Sequence, residues 1–510
     1  MTARYEHVSA RDDARAGLRI SVIPAVHVAI AVAFRLFCLW RYRIDSDEPQ
    51  HLHVAWGWTQ GFVAYRDFYD NHLPLFHLLF APLVSAAGET AGILTYARLM
   101  MLPLAAASLT LTWLIASRLY GRQIAFWATL LASVFPEFLL KGLEFRNDNL
   151  WVAGTLAALL LALGALTPRR TFLLGLLLGA TFLVSIKTGP FTAALAVALF
   201  AAYGRAITVR MVLTFAAGFA IAPLIAAAFF AKYGALDDLW RCAIAANGLI
   251  PVAMWRRVAG AAVFLACLYV VFRFIRDMRR ERAIVAATAL MLPAWVGLVA
   301  PLISPRDILP SMPLAMIFLA ALLAPRLGEA MHVAPLVLIL FTIFDGDLLD
   351  APRAYDREVI EQTLALTRPG ERVLDLKGET IFRERATFVA YEPVGRELVA
   401  SGAVPDTVPH DVIASRCYVA TRDSNFFPPR ARSFLREHFV QIGDLRVAGQ
   451  RVADDGSFSI AIPGEYVVLD GQGRTIAPPH AFAAGRYELP PAQRVPGALV
   501  VWRGVERIRG

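Results

Sequence analysis

The chain has 510 residues, 57 % of them hydrophobic and 18 % charged, with 50 Lys+Arg against 41 Asp+Glu for a formal net charge of +9; its mean hydropathy is +0.53. Such an apolar share excludes an ordinary soluble multidomain protein, and the apolar runs fill roughly 20–345 before thinning out, which predicts a polytopic membrane protein with a soluble tail. The positive charge does not describe a nucleic-acid surface. Its residues stand in short clusters between apolar runs (Arg118 and Arg122; Arg169 and Arg170; Arg205 and Arg210; Arg273, Arg276, Arg279, Arg280 and Arg282), the pattern of cytoplasmic loops in membrane proteins.

At the start, Arg11, Arg15 and Arg19 precede an apolar run with no small-residue cleavage site, so 1–19 is expected to be a cytoplasmic segment leading into a retained helix. A span needs about 20 mostly apolar residues. Eleven stretches are expected to span: 20–40, 96–117, 123–140, 149–166, 171–186, 189–204, 211–231, 258–273, 283–300, 308–324 and 330–345. With the N-terminus inside, every Arg cluster then faces the cytoplasm and the tail lies outside. The stretch 73–88, "LPLFHLLFAPLVSAAG", would reverse that register if it spanned, and is read as an interfacial or re-entrant helix. The expected organisation is 20–348 as a membrane domain with a first outer loop over 41–95, and 349–510 as an outer mixed α/β domain. In that domain 350–368 is read as a connecting helix, "ERVLDLKG" as a buried strand, and 443–503 as β-rich, from short apolar runs between turn signals. Cys38, Cys242, Cys267 and Cys417 show neither CxxC nor metal spacing.

This register sorts the polar residues to one side. The outward loops carry Asp45, Asp47, Glu48, Asp67 and Asp70, then Glu144, Arg146 and Asp148, then Lys187, Asp237 and Asp238, and finally Arg306 and Asp307. Mixed charges gathered at one membrane face mark a site. In "DSDE" (Asp45 to Glu48) a carboxylate suits general-base work on a hydroxyl or amine, or simply ends a solvated loop. His51, His53, His72 and His77 read as pocket walls, although His51, Asp47 and His72 also have the chemistry of a metal site. Asp148 suits a substrate pocket or a helix cap, and Arg146 a phosphate or Asp148 itself. Lys187 interrupts about thirty apolar residues, and a lysine there is either paired, functional or snorkelling to the interface. Arg306 and Arg98 follow the same logic. Several cations around an acidic loop suggest an anionic leaving group opposite a carboxylate base, as a lipid-linked phosphosugar would supply.

The order first span, "DE" followed by "HLH", then "YRDFYDNHLPLFHLLFAPL", "ARLMMLP" and "FRNDN" resembles the GT-C superfamily of glycosyltransferases that use polyprenyl-phosphate sugars. More narrowly, it is similar to bacterial relatives of protein O-mannosyltransferases and of the lipid A aminoarabinose transferase. The resemblance covers about 20–345 and is strongest from Asp45 to Trp151. It implies a GT-C membrane domain and an inverting transfer of a hexosyl or pentosyl unit to a lipid, glycan or protein acceptor at the periplasmic face of a bacterial inner membrane. It implies Asp47 as the catalytic carboxylate with Glu48 beside it, and Arg98 as the arginine opening the second span; from their own chemistry Arg98, Arg146, Lys187 and Arg306 are candidates to stabilise the departing phosphate, with Lys187 and one Arg expected to touch it. His51, His53, Asp70, Asn71, His72 and Asp148 would shape the pocket. Leu73 departs from the proline common at that place in the family. The resemblance implies no nucleotide and no required cofactor, with a divalent ion bound in some members. Two other readings are a transporter or flippase of a lipid-linked saccharide, which would need polar groups through both halves of the spans, and a non-catalytic envelope assembly protein, in which Asp47, Arg146 and Lys187 would not converge.

Overall fold

The computed structural model describes residues 22–248, 250–350, 355–422 and 425–508; the expected cytoplasmic segment 1–19 lies outside the described residues. Up to Asp345 the described α-helices longer than one turn are α1 (Val22–Arg41), α2 (Asp47–Thr59), α3 (Leu75–Ala87), α4 (Ile93–Tyr120), α5 (Arg122–Val134), α6 (Pro136–Lys141), α7 (Asn147–Ala162), α8 (Pro168–Phe182), α9 (Thr188–Tyr203), α10 (Val209–Lys232), α11 (Met254–Val270), α12 (Arg280–Val299), α13 (Ser311–Leu327) and α14 (Val333–Asp345). Among the described residues six segments are long and apolar enough to cross a membrane: Ile23–Arg41, Ile93–Tyr120, Val209–Lys232, Met254–Ile275, Arg280–Val299 and Ser311–Asp345. The chain is a multi-pass membrane protein. Its apolar surface agrees with this, since α10 buries only Gly218 and Phe230 and α11 buries nothing, leaving apolar faces of the kind a bilayer covers.

The sequence expectation of eleven full-length spans differs from this in instructive places. The stretch 123–140 is two helices, because the residue before a proline disfavours helical dihedrals and Phe135 is extended ahead of Pro136. The stretches 308–324 and 330–345 run as one apolar segment of 35 residues with a tight turn at Gly328–His332. Helices α7, α8 and α9 have 16, 15 and 16 residues, about 24 Å of rise against a hydrocarbon core of about 30 Å. Helix α3, with 13 residues, is shorter still.

Helix α4 sets the polarity of the bundle. Near its start Arg98 binds Glu48 of α2; near its end Arg118 binds Glu281 of α12 and the Leu163 carbonyl. About 30 Å of helix separates the two. At the far end Arg282 also donates to the Leu119 carbonyl and Arg280 stacks on Tyr203. The Arg clusters and the acidic loops thus occupy opposite ends of one bundle.

After α14 the chain forms α15 (Tyr355–Leu366) and a soluble domain with α16 (Pro393–Ala400), α17 (Val408–Ala414) and α18 (Pro429–His438). Its strands are β1 (Val373–Leu374), β2 (Val419–Ala420), β3 (Phe439–Ile442), β4 (Leu445–Arg451), β5 (Ser457–Ile460), β6 (Gly464–Leu469), β7 (Thr475–Phe482), β8 (Gly485–Glu488) and β9 (Leu499–Trp502). One sheet has the order β1-β2-β4-β9-β6-β7, with β3 also on β4, and β5 pairs with β8. Only β1 and β2 are parallel within it. The strand expected in "ERVLDLKG" shrinks to the two residues of β1, because Asp375 turns the chain immediately afterwards. That turn faces the membrane bundle: Gly378 lies on His53, and Arg385 donates to the Tyr69 carbonyl.

Candidate active site

The start of α2 fixes the site. Glu48 is buried, accepts from the backbone N–H of Asp45 (2.8 Å) and of Phe145 (3.0 Å), and takes two hydrogen bonds from Arg98, at 2.9 and 2.6 Å. Arg98 also donates to the carbonyls of Tyr42 and Arg43. Arg98 and Glu48, expected as a phosphate ligand and a catalytic group, form a buried brace behind the site in which four of the five Arg98 N–H groups are engaged. The brace turns the neighbouring carboxylates forward.

Asp47 stands one residue earlier and is partly exposed. Its carboxylate is held by Arg146 on Oδ2 and by Lys377, from the soluble domain, on Oδ1. Arg146 also reaches Asp148 (3.1 Å) and Asp45 (3.3 Å). Lys187 joins Asp148 (2.7 Å) to Asp307 (2.9 Å). Arg306 joins Asp45 (2.6 Å) to Glu144 (2.8 Å), and Lys141 completes Glu144 at 3.1 Å. Five cations (Lys141, Arg146, Lys187, Arg306, Lys377) therefore interleave with five carboxylates (Asp45, Asp47, Glu144, Asp148, Asp307). Local folding supplies these positions: Arg146 ends the extended stretch before α7, Lys187 immediately precedes α9, and Ser304 caps a single turn that presents Arg306 and Asp307.

Burial opposes ionisation of Asp47, but Arg146 and Lys377 outweigh it and hold its carboxyl well below the usual range. Burial likewise opposes the charge on Lys187, and Asp148 with Asp307 push its pKa upward instead. Both groups are charged at neutral pH.

The network borders a cavity of about 630 Å³. Asp47, Gln50, Asn71, His72, Arg146, Asn147, Lys187, Arg306 and Asp307 form its polar wall; Ile186, Val296, Val299, Leu302 and Ile250 form an apolar flank, and Glu392–Val394 of the soluble domain closes one side. Such a space, charged at one end and apolar at the other, suits an amphiphile with an anionic head.

Of the expected pocket residues, Asn71 and His72 line the cavity, and Asp148 is buried under Arg146 and Lys187. Asp70 and His51 lie behind the wall. Asp70 accepts from His72 at 2.9 Å, while the rings of His51 and His77 are bonded at 2.8 Å. Burial drives the His51 pKa well down and that of His77 down to about 4. His53 does not belong to this cavity: it bonds the Ile381 carbonyl at 2.8 Å and anchors the soluble domain. Among the described residues no group of three or more His, Cys, Asp or Glu side chains is arranged to hold a metal ion, and the cavity carboxylates already have cationic partners. The set of His51, Asp47 and His72 is therefore not a ready metal site.

Sequence reasoning missed Lys377, Asn147, Gln50 and the 392–394 wall. Asp45, Glu144 and Asp307 were sorted to the correct face but not to the site. Nothing in "LDLKGET" distinguishes Lys377 from a surface lysine; only the docking of the soluble domain reveals it.

No protein-family model matches the chain, and no curated protein matches it in sequence. Solved structures do. ArnT from Cupriavidus metallidurans in the apo state aligns at TM-score 0.57 and 12 % identity over 85 % of this chain and 98 % of that one. The same protein bound to undecaprenyl phosphate aligns at TM-score 0.43 and 13 % identity, over 68 % of this chain and 65 % of that one, so the match spans just under two thirds of the length of that form. The Archaeoglobus fulgidus oligosaccharyltransferase, in complex with zinc and sulfate, aligns at TM-score 0.43 and 10 % identity over 89 % and 72 %. The first of these likenesses is one of fold: this chain shares with that ArnT structure a polytopic helical membrane core followed by a soluble domain.

Proposed function

We propose that the chain is a glycosyltransferase that takes a sugar from a polyprenyl-phosphate donor and passes it to a lipid, glycan or protein acceptor. The observation that carries this is the convergence of Asp47, Arg146, Lys187 and Arg306 on one cavity, with an apolar flank beside them. The phosphate sits among the cations and the polyprenyl chain leaves along the apolar flank toward lipid. An acceptor hydroxyl or amine attacks the anomeric carbon from the face opposite the phosphate, so the configuration inverts. The new bond joins acceptor to anomeric carbon, and the carbon–oxygen bond to phosphate breaks. Its electron pair leaves on the polyprenyl phosphate and the acceptor proton goes to Asp47.

The interleaved charges explain how Asp47 can serve as that base. Left as it stands, its carboxylate is too well stabilised to bind a proton. An incoming phosphate competes for Arg146, Lys187 and Arg306, and withdrawing Arg146 from Oδ2 both frees that oxygen and raises its basicity. The same cations then face the charge that develops on the leaving phosphate. No step is routed through a metal or a nucleotide. The site is read as facing the periplasm of a bacterial inner membrane, opposite the Arg clusters. A transport path would need polar groups through both halves of the spans, whereas those of this cavity gather at one end.

The test is Asp47→Asn in membranes containing the native acceptor, supplied with radiolabelled polyprenyl-phosphate hexoses and pentoses. Transfer is expected to fall by about 10²- to 10⁴-fold, the share a general base supplies. Unchanged transfer at normal expression overturns the assignment.

A further inference from the structure

We infer that Lys377, a residue of the soluble domain, is a positioning residue for the catalytic carboxylate: it holds Oδ1 of Asp47 while the donor phosphate draws Arg146 away from Oδ2. This inference rests on the glycosyltransferase reading for its consequence, though not for its geometry.

Lys377 sits in a loop whose shape is independently secured. Asp375 accepts from the backbone N–H of Gly378 (2.9 Å) and Thr380 (3.2 Å) and from the Thr380 hydroxyl (2.8 Å). Glu379 accepts from the N–H of Leu376 and of Lys377 itself, at 3.0 and 3.1 Å. The loop lies flat on α2. Gly378 has φ +108°, and a Cβ there would meet the His53 side chain at 2.6 Å; the His53 bond to Ile381 pins the other end. From this platform the ammonium reaches two groups, Asp47 and the Ser46 hydroxyl (3.0 Å), both at the start of α2. Lys377 therefore makes its polar side-chain contacts outside its own domain. A loop fixed by two carboxylates and pressed through its glycine onto His53 is suited to aim one side chain.

The aim matters because a carboxylate held at neither oxygen swings freely about its last torsion. With Oδ1 anchored by Lys377, that swing is limited and the freed Oδ2 is directed at the acceptor. When the phosphate takes Arg146, Lys377 is the cation left to orient Asp47 and keep it ionised. The other charged or titratable groups around Asp47 are Asp45 in the preceding turn, Arg146 before α7, Arg306 and Lys187 beyond it, and His51 and His72 from the first outer loop.

The experiment compares wild type, Lys377→Met and Lys377→Arg as full-length chains in membranes, with two readouts. The first is the pH profile of transfer from the labelled donors. In Lys377→Met the acid limb is expected to move up by one pH unit or more, the effect of losing one close opposite charge, and kcat to fall about tenfold or more; Lys377→Arg should restore the limb. The second does not depend on activity: a hydrophobic carbodiimide reacts with protonated carboxyls, and mass spectrometry reads its adduct on Asp47 against pH. That adduct should form at higher pH in Lys377→Met than in wild type. A folded Lys377→Met protein with wild-type adduct formation and a wild-type pH profile overturns the inference. A shifted adduct curve in a protein whose wild type transfers none of the donors supports the positioning role and overturns the glycosyltransferase reading instead.

Discussion

Arg98 and Glu48 are almost wholly buried and share two hydrogen bonds, while two more Arg98 donors hold two carbonyls just after α1. Removing one member of such a pair strands a charge away from water, at a cost of about 3–5 kcal/mol. Glu48→Gln is thus expected to lower the yield of folded protein and its melting temperature in detergent, whereas a paired replacement, Arg98→Met with Glu48→Leu, should recover part of the loss. Normal melting of Glu48→Gln would refute the brace. Arg146 has the same chemistry and a different setting, since it opens onto the cavity and a ligand can exchange for its carboxylates. Sequence can place both arginines on the outer face, but which of them is braced away from the cavity is decided by Glu48, fifty residues from Arg98 and adjacent to it only in the fold. Asp47 was legible as a cavity residue because it follows the first span in an acidic outer loop. His53 was misplaced because alternate residues of "HLH" point to different sides of α2, one toward the His77 ring and one toward the soluble domain.

At the level of elements, hydropathy located α8 and α10 but gave no account of why they touch. Their contact is made by glycines. A Cβ at Gly175 or Gly179 would come within 2.1 or 2.2 Å of the carbonyl oxygens of Phe215 and Phe219, and one at Gly218 within 2.1 Å of that of Phe172. Backbones this close are the usual way helices associate in lipid, where no hydrophobic drive separates helix from tail. Gly179→Ala must push α8 away from α10 and is expected to destabilise by about 1–3 kcal/mol as overpacking. Gly297, in α12, has nothing within 4 Å of the added carbon, so Gly297→Ala should be neutral or stabilising through helix propensity. Melting curves of the two variants in one detergent separate the outcomes; equal melting would mean the close packing contributes nothing. Lengths were the less legible property of the elements. A hydropathy window cannot register that Pro136 breaks its helix or that Gly328 lets two runs continue as one apolar segment.

For the whole molecule, the legible part was the sorting of charge. Arg clusters and acidic loops alternate along the sequence, and the structure sets them at the two ends of α4. The illegible part was how the soluble domain sits, because the contact between Lys377 and Asp47 spans 330 residues of sequence and no local pattern encodes it. Docking of that domain on the acidic end fixes a consequence for orientation. The 233–238 turn lies on the same end, since Arg66 of the first outer loop donates to the Tyr233 carbonyl. Exposed positions Asp237 and Ser401 should therefore share one side of the membrane, and Asp277, within the basic cluster, should lie on the other. By the positive-inside rule the Asp277 side is the one expected to be cytoplasmic. With Asp237→Cys, Ser401→Cys and Asp277→Cys expressed separately, a membrane-impermeant maleimide added to cells with a permeabilised outer membrane should label the first two. Asp277→Cys should label only after lysis. Cys38, Cys242 and Cys417 are buried and Cys267 lies within α11, so the unsubstituted chain provides the blank. Labelling of Asp277→Cys in intact cells with protection of the other two would invert the topology and put the cavity in the cytoplasm. Labelling of all three would deny that the bundle separates two faces, and with it the amphiphile path from cavity to lipid.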